Sequence, residues 1–295
     1  NWKKEILKLS IKIIIQYIKC DEVVICTSSP GAFKVLRFFK FINSKKRIYY
    51  FVSGGSLYKK IEDKVYSIEL YKNLYRIYVE SEFMKEKFIS YGLIQTEVKY
   101  NFRNPLIKFD KIKKTEDKIK FIFYSRVVKD KGVEHAIRLI KRLSKGHYNV
   151  ELYIYGQAKK EYLDFLDIKQ YDNIYYMGAI QPNSIDEYKI MHNYDIFVFP
   201  TEHDGEGLPG ALIDAYISGL CVVASNWKYA SEYIYNKRSG IIFNYKDYND
   251  MYDKVLELLN NREQIDYYKK NALKEAKKYI IKNIIPRELV GDEFE

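Results

Sequence analysis

Apolar positions recur at helical spacing across residues 2–19, where Leu7, Ile11, Ile14, Ile15 and Ile18 share one face and Lys4, Lys8 and Lys12, four apart, share another. The pattern predicts an amphipathic helix packed on a sheet. Its apolar run, 11–18, is interrupted by Lys12 and Gln16 and stops at Lys19, short of the ~20 residues a membrane span needs. Strand and helix then alternate: strand 22–27, helix 31–41, strand 47–52 running into Gly54-Gly55, and strand 76–79. A helix at 82–91 follows, with Ser81 as its N-cap and Gly92 as its stop, and then a short strand at 98–100. Between Asn104 and Lys118 the periodicity lapses into a Pro- and Lys-containing stretch that reads as a linker. The alternation resumes with strands 119–124, 150–155, 174–177, 195–199 and 221–224 and helices 133–143, 161–165, 185–192 and 210–218. Strands alternating with helices of this length predict α/β domains with parallel sheets covered on both faces, the two halves resembling copies of one architecture. The expected domains are 1–115 and 116–295, the second with C-terminal helices.

At 295 residues, 47% hydrophobic and 30% charged, the chain has material for two packed cores, which excludes a short disulfide scaffold and a disordered segment. Cys20, Cys26 and Cys221 are odd in number and lack CxxC spacing, so a disulfide framework and a zinc knuckle are not expected and a reducing, cytoplasmic setting is. Charge is uneven. Residues 1–117 carry 24 Lys and Arg against 13 Asp and Glu, whereas the remaining residues balance at 26 against 26. That excess points the N-terminal half toward something anionic: a membrane surface, a phosphorylated acceptor or nucleic acid. No nucleic-acid module accompanies it, and the thirty tyrosines are read as sheet packing.

In such sheets ligands bind beyond the carboxyl ends of the strands, so residues that directly follow strands carry the information. Ser125, Arg126, Lys131 and Gly132 follow strand 119–124 and precede a helix; a guanidinium and an ammonium beside a helix N-terminus suit a diphosphate, although alone this would read as a solvated basic loop. Gly156 and Gly178 follow strands 150–155 and 174–177, where glycine allows close approach of a ligand or a tight turn. The stretch from Pro200 to Ala215 is richer. Glu206 stands at a strand-to-helix junction, and Asp214, eight positions on, lies about one turn into the helix that opens near Gly210, where acids can accept hydrogen bonds from sugar hydroxyls and free N–H groups can meet polar ligand atoms.

In this order of motifs the sequence resembles the retaining glycosyltransferases of family 4. The likeness runs from Phe121 to about Tyr245 through Arg126, Lys131-Gly132, Gly156, the segment from Asp195 to Thr201, Glu206-Gly207, Asp214-Ala215, Ser218-Gly219, Glu232 and Gly240. It implies the GT-B arrangement, two Rossmann-like doubly wound domains facing across a cleft, and a metal-independent retaining hexosyltransferase that uses a nucleotide sugar as substrate and no cofactor. By this resemblance Arg126 and Lys131 hold the donor diphosphate, and Glu206 with the backbone at Gly207, Leu208 and Gly210 holds the sugar. Gly156 and Gly178 line the donor site, and Asp214 takes the ribose hydroxyls.

The sequence departs from the family pattern in places. Asp214 stands where a second Glu is usual and reaches one methylene less; Pro209 lacks an N–H where Gly is frequent. The family's first strand and glycine loop are not visible before Asn1, and all four histidines, His135, His147, His192 and His203, lie in the second half. An incomplete N-terminal domain or an unusual acceptor side is expected. No Asp-x-Asp, HExxH, GxSxG or GxxxxGK[ST] occurs, and His203 beside Asp204 reads as a solvated loop residue. The expected partners are a nucleotide-sugar donor, a glycan or lipid-linked acceptor and an anionic membrane face, without nucleic acid. A sugar-nucleotide epimerase of the same fold and a non-catalytic nucleotide-sugar-binding protein remain as alternatives.

Overall fold

The structure, a computed structural model, describes residues 2–42 and 45–285, with backbone alone at positions 2–4, 6, 7, 9 and 10. Asn1 and the side chains of Lys4 and Leu7 therefore lie outside the described residues. The chain divides into two compact units, Asn1–Lys99 and Tyr100–Glu295.

The first unit comprises α1 (Trp2–Lys19), β1 (Glu22–Ser28), α2 (Ser29–Phe41), β2 (Arg47–Ser53), α3 (Leu57–Glu62), β3 (Arg76–Val79), α4 (Glu82–Ser90) and β4 (Thr96–Val98). Its four strands pair in parallel in the order β1-β2-β3-β4. Ser81 caps α4 by accepting the Met84 N–H at 3.1 Å, and Gly92 ends the helix region at φ +82°. Tyr49, Tyr50 and Tyr78 of β2 and β3 are at most 1% exposed, in keeping with tyrosine as sheet packing. Three expectations change here. The strand placed at 98–100 is Thr96–Val98, and α3 carried no recognised signal. Nor do the described positions of α1's apolar stripe bury: Ile11, Ile14, Ile15 and Ile18 are 46–70% exposed, while Tyr17 stacks on Phe39 of α2 at 4.8 Å. Helical period identifies an apolar face but not the element that covers it.

The second unit runs β5 (Ile119–Tyr124), α5 (Val133–Lys145), β6 (Val150–Tyr155), α6 (Lys160–Leu166), β7 (Ile174–Gly178), α7 (Ile185–Met191), β8 (Ile196–Phe199), α8 (Gly210–Ile217) and β9 (Cys221–Ser225). It closes with α9 (Ala230–Tyr233), β10 (Gly240–Phe243), α10 (Tyr248–Asn260), α11 (Arg262–Ala276) and α12 (Ile281–Ile284). The six strands are parallel in the order β10-β9-β8-β5-β6-β7. This sheet has two strands more than the first, and its order reverses between β5 and β8. All four residues of β8 are buried, as a central strand covered on both faces requires. On α5 the buried Val133, Ala136, Ile137, Ile140 and Leu143 follow the three-and-four spacing of a core-facing stripe, each contributing roughly 1.5–3 kcal/mol when it is large and fully buried.

The division at Lys99 falls earlier than the boundary read from the sequence. Residues 104–118 form an irregular strap fastened to the second unit: Phe109 lies flat on His192 at 4.0 Å, and Thr115 donates to Asp266 Oδ1 from both N–H and hydroxyl, at 3.0 and 2.8 Å. A strap without regular period looks like a linker in sequence because its contacts are long-range. At the N-terminal edge of β8, Lys269 of α11 donates to Asp195 Oδ1 at 2.9 Å while Asp195 Oδ2 accepts the Lys120 N–H. This pair, 1% and 6% exposed, ties α11 to the sheet.

Candidate functional site

The reversal of strand order at β5 and β8 opens a crevice beyond their carboxyl ends, the place where open α/β sheets bind ligands. Two loops meet there. The loop after β5 turns through a short 3₁₀ segment, Lys129–Lys131, into Gly132, which has φ +78°. A Cβ at Gly132 would fall 2.0 Å from the Pro200 carbonyl oxygen, so glycine alone permits this approach to the end of β8. The Glu202 N–H donates to the Asp130 carbonyl at 2.8 Å, and His203 Nδ1 lies 2.8 Å from Asp130 Oδ2, fastening the loops together. His203, expected as a solvated loop residue, keeps more than a third of its side chain exposed while pairing with Asp130 across the loops.

The junction places Lys131 against Glu206. Lys131 Nζ donates to Glu206 Oε2 at 2.5 Å, with side-chain exposures of 7% and 11%. The Thr201 hydroxyl donates to the same oxygen at 3.0 Å, and Ser225 Oγ holds the Thr201 carbonyl at 2.7 Å. Arg126 differs: it is exposed, and among the described residues no ion pair engages it. The loop therefore presents one free guanidinium and one ammonium already neutralised by the acid expected to meet the sugar.

The glycines on the expected list serve the local backbone in distinct ways. Gly156, at φ +147°, approaches so closely that a Cβ would sit 1.7 Å from the Ser125 carbonyl oxygen, while its N–H donates to the Gly178 carbonyl at 2.8 Å. Gly178, at φ +81°, has open space where a Cβ would be, so its glycine answers a turn. The Gly207 carbonyl accepts from Trp227 Nε1 at 3.2 Å, and the buried Leu208 offers its carbonyl to Asn101 Nδ2 at 3.3 Å. Gly210 opens α8 directly under Arg103, whose Nη2 a Cβ would meet at 1.9 Å.

Arg103, which falls just before the irregular stretch that begins at Asn104, defines the rest of the crevice. Its Nε and Nη2 fork onto Asp214 Oδ1 and Oδ2 at 2.7 and 3.0 Å, and Tyr188 OH adds a bond to Oδ1 at 3.3 Å. Asp214 is 2% exposed. The carboxylate assigned to ribose is thus occupied from within the unit, and burial pushes its pKa up against the pull of Arg103. Beside it Glu187 is fully buried; it accepts from Tyr124 OH and from the Asn183 N–H, each at 2.5 Å. Burial and the Asp214 charge raise Glu187 to about 7. The Ser184-x-x-Glu187 capping box at the start of α7 was the sequence signal for this acid: the Glu187 N–H donates to Ser184 Oγ at 3.0 Å. Its reach to Tyr124 at the end of β5 had none.

The chain is similar to known proteins in both sequence and fold. The family described as Glycosyl transferases group 1 matches residues 106–275. Over 96% of this chain and 79% of the relative, the sequence is 24% identical to the capsular polysaccharide biosynthesis glycosyltransferase CapM of Staphylococcus aureus. Among solved structures, an S. aureus TarM mutant in complex with fondaparinux, alpha-GlcNAc-glycerol and UDP superposes with a TM-score of 0.65 at 21% identity, covering 82% of this chain. The chain spans 50% of that TarM chain. HepE of Anabaena, in complex with UDP and glucose, gives 0.71 at 16% identity over 92% of this chain and 77% of its own. These likenesses establish the GT-B fold class of two parallel-sheet α/β domains.

Proposed function

Because the chain belongs to the glycosyl transferases group 1 family, we propose that it transfers a hexose, with retention, from a uridine diphosphate sugar to a glycan or lipid-linked acceptor of a surface polysaccharide. The buried Lys131–Glu206 pair at the β5/β8 crevice carries this reading. An incoming diphosphate competes with Glu206 for the Lys131 ammonium and takes the free Arg126 as its second cation. Glu206, released from Lys131, then accepts hydrogen bonds from the donor sugar. Both cations stabilise the charge that builds on the leaving nucleotide, and no metal is required. Retention rests on the resemblance of the Glu206 to Asp214 segment to family 4. Asp214 acts here through Arg103, which it holds over the first turn of α8.

The same reading places the enzyme at an anionic membrane face. No helix among the described residues is long and apolar enough to cross a membrane, and the exposed isoleucines of α1 beside its lysines offer a peripheral contact. A thermal-shift panel of nucleotide sugars, followed by turnover in excess EDTA, tests the donor assignment. Stabilisation by UDP-sugars and turnover that persists in EDTA are expected. Activity lost in chelator and restored by manganese would contradict the cationic mechanism, and isomerised donor would make the protein an epimerase.

A further inference from the structure

Away from the crevice, the second unit carries a groove of ≈ 780 Å³ between the 104–118 strap and the C-terminal helices. Its floor is apolar: Ile107 and Ile112 from the strap, Ile217 at the end of α8, Leu273 and Ala276 from α11, and Ile280 beyond it. Its rim is cationic. Lys108, Lys111 and Lys114 come from the strap, Lys270, Lys274 and Lys277 recur at helical spacing along α11 and its C-cap, and Lys282 joins them in the lining.

Little within the protein neutralises this rim. Lys108 pairs with Asp110 at 3.0 Å, both highly exposed, and Lys274 meets only Asn271 Oδ1 at 3.4 Å. Among the described residues, Lys111, Lys114, Lys270, Lys277 and Lys282 enter no ion pair, and Asp266 beside them already accepts two bonds from Thr115. Like charges gathered over an apolar floor repel one another without internal compensation, so the surface complements a ligand that is apolar at one end and anionic at the other. The volume lies within the ~300–1,000 Å³ of ordinary ligand pockets. Five of the cations behind the charge excess of residues 1–117, Arg103, Lys108, Lys111, Lys113 and Lys114, belong to this unit, and three of them line the groove.

We infer that the groove binds an anionic phospholipid, with acyl carbons along the floor and the phosphate headgroup among Lys270, Lys274 and Lys277. This contact is independent of α1 and of catalysis. It is tested by co-sedimentation of the full chain with vesicles of phosphatidylglycerol or phosphatidylcholine, together with a phosphatidylglycerol bearing a photoactivatable diazirine on its acyl chain. The triple variant Lys270→Glu, Lys274→Glu, Lys277→Glu alters only exposed side chains, and its thermal melt reports that it folds. It is expected to bind phosphatidylglycerol vesicles ~10-fold or more weakly, and the diazirine is expected to label residues 105–112 and 273–280 in the parent. Unchanged binding by a folded triple variant would overturn the inference. So would labelling confined to other segments, or full displacement of vesicles by millimolar inorganic phosphate, which would make this a phosphate site. Binding lost only when Lys4, Lys8 and Lys12 are neutralised would overturn it too, by assigning the contact to α1.

Discussion

Lys131 holds two partners in prospect, the carboxylate it touches and the diphosphate it is proposed to meet, and its burial makes either partner matter. Removing a preorganised charge-stabilising group costs ~10² or more in turnover, so Arg126→Ala and Lys131→Ala are each expected to lose at least that factor in steady-state rate. Lys131→Arg is expected to rescue only in part, because a planar fork cannot place one donor where a compact ammonium sits 2.5 Å from Glu206. Normal turnover in both alanine variants would remove the diphosphate assignment. Glu187 gives a second residue-scale expectation. In the folded chain it keeps its proton to about 7, against an ordinary 4.5. The folded state therefore binds the extra proton between those values; the stabilising contribution is full below about 4.5 and is lost as pH rises through about 7. Glu187→Gln is expected to flatten that slope, gaining on the parent by on the order of a few kcal/mol between pH 5 and pH 8 in denaturant titrations. Parallel slopes would contradict the burial argument. At this scale the position of Arg126, Lys131 and Glu206 in the loops after β5 and β8 was legible, because those loops follow apolar strand runs, whereas the Arg103 fork was not: its partner lies 111 positions away.

The elements were legible wherever one period dominated. Strand Ile119–Tyr124 and strand Val150–Tyr155 fall where their apolar runs place them, since a central strand buried on both faces writes its limits into composition. The strap looks like a linker in sequence because irregular backbone announces itself only by lacking a period. Loop geometry was half legible: glycine at Gly156 and Gly178 suggested a close approach or a turn, but nothing at Gly132 showed that its missing Cβ lets the β5 loop touch Pro200. Gly132→Ala carries both a positive φ and a 2.0 Å overlap with backbone, so it is expected to destabilise the fold by roughly 1–3 kcal/mol. It should also lower donor affinity, because the loop must shift away from Pro200 and carry Lys131 out of the place proposed for the diphosphate. Thermal melts and donor titration of this variant check both effects, and a variant with unaltered melt and affinity would show that the loop contact does not position the site.

At the scale of the whole molecule, the α/β class followed from alternation, but the order of strands did not. That β5 neighbours β8, and so opens the crevice, depends on crossovers that no local pattern specifies. The extent of the N-terminal unit was likewise unreadable, since the exposed stripe of α1 looks in sequence like any core-facing helix. These scales meet in the β5/β8 crevice, where a nucleoside diphosphate sugar is proposed to bind and to transfer its sugar to the acceptor. The direct measurement is proton NMR of the full chain with UDP-glucose or UDP-N-acetylglucosamine and a glycan acceptor, following free UDP and the anomeric proton of the product. The account predicts UDP release coupled to a new glycoside with the donor's α configuration, slowed ~10² or more in the Lys131→Ala variant. Transfer with a β product would contradict retention, and donor left intact across the panel, or turnover indifferent to Lys131, would contradict the site itself.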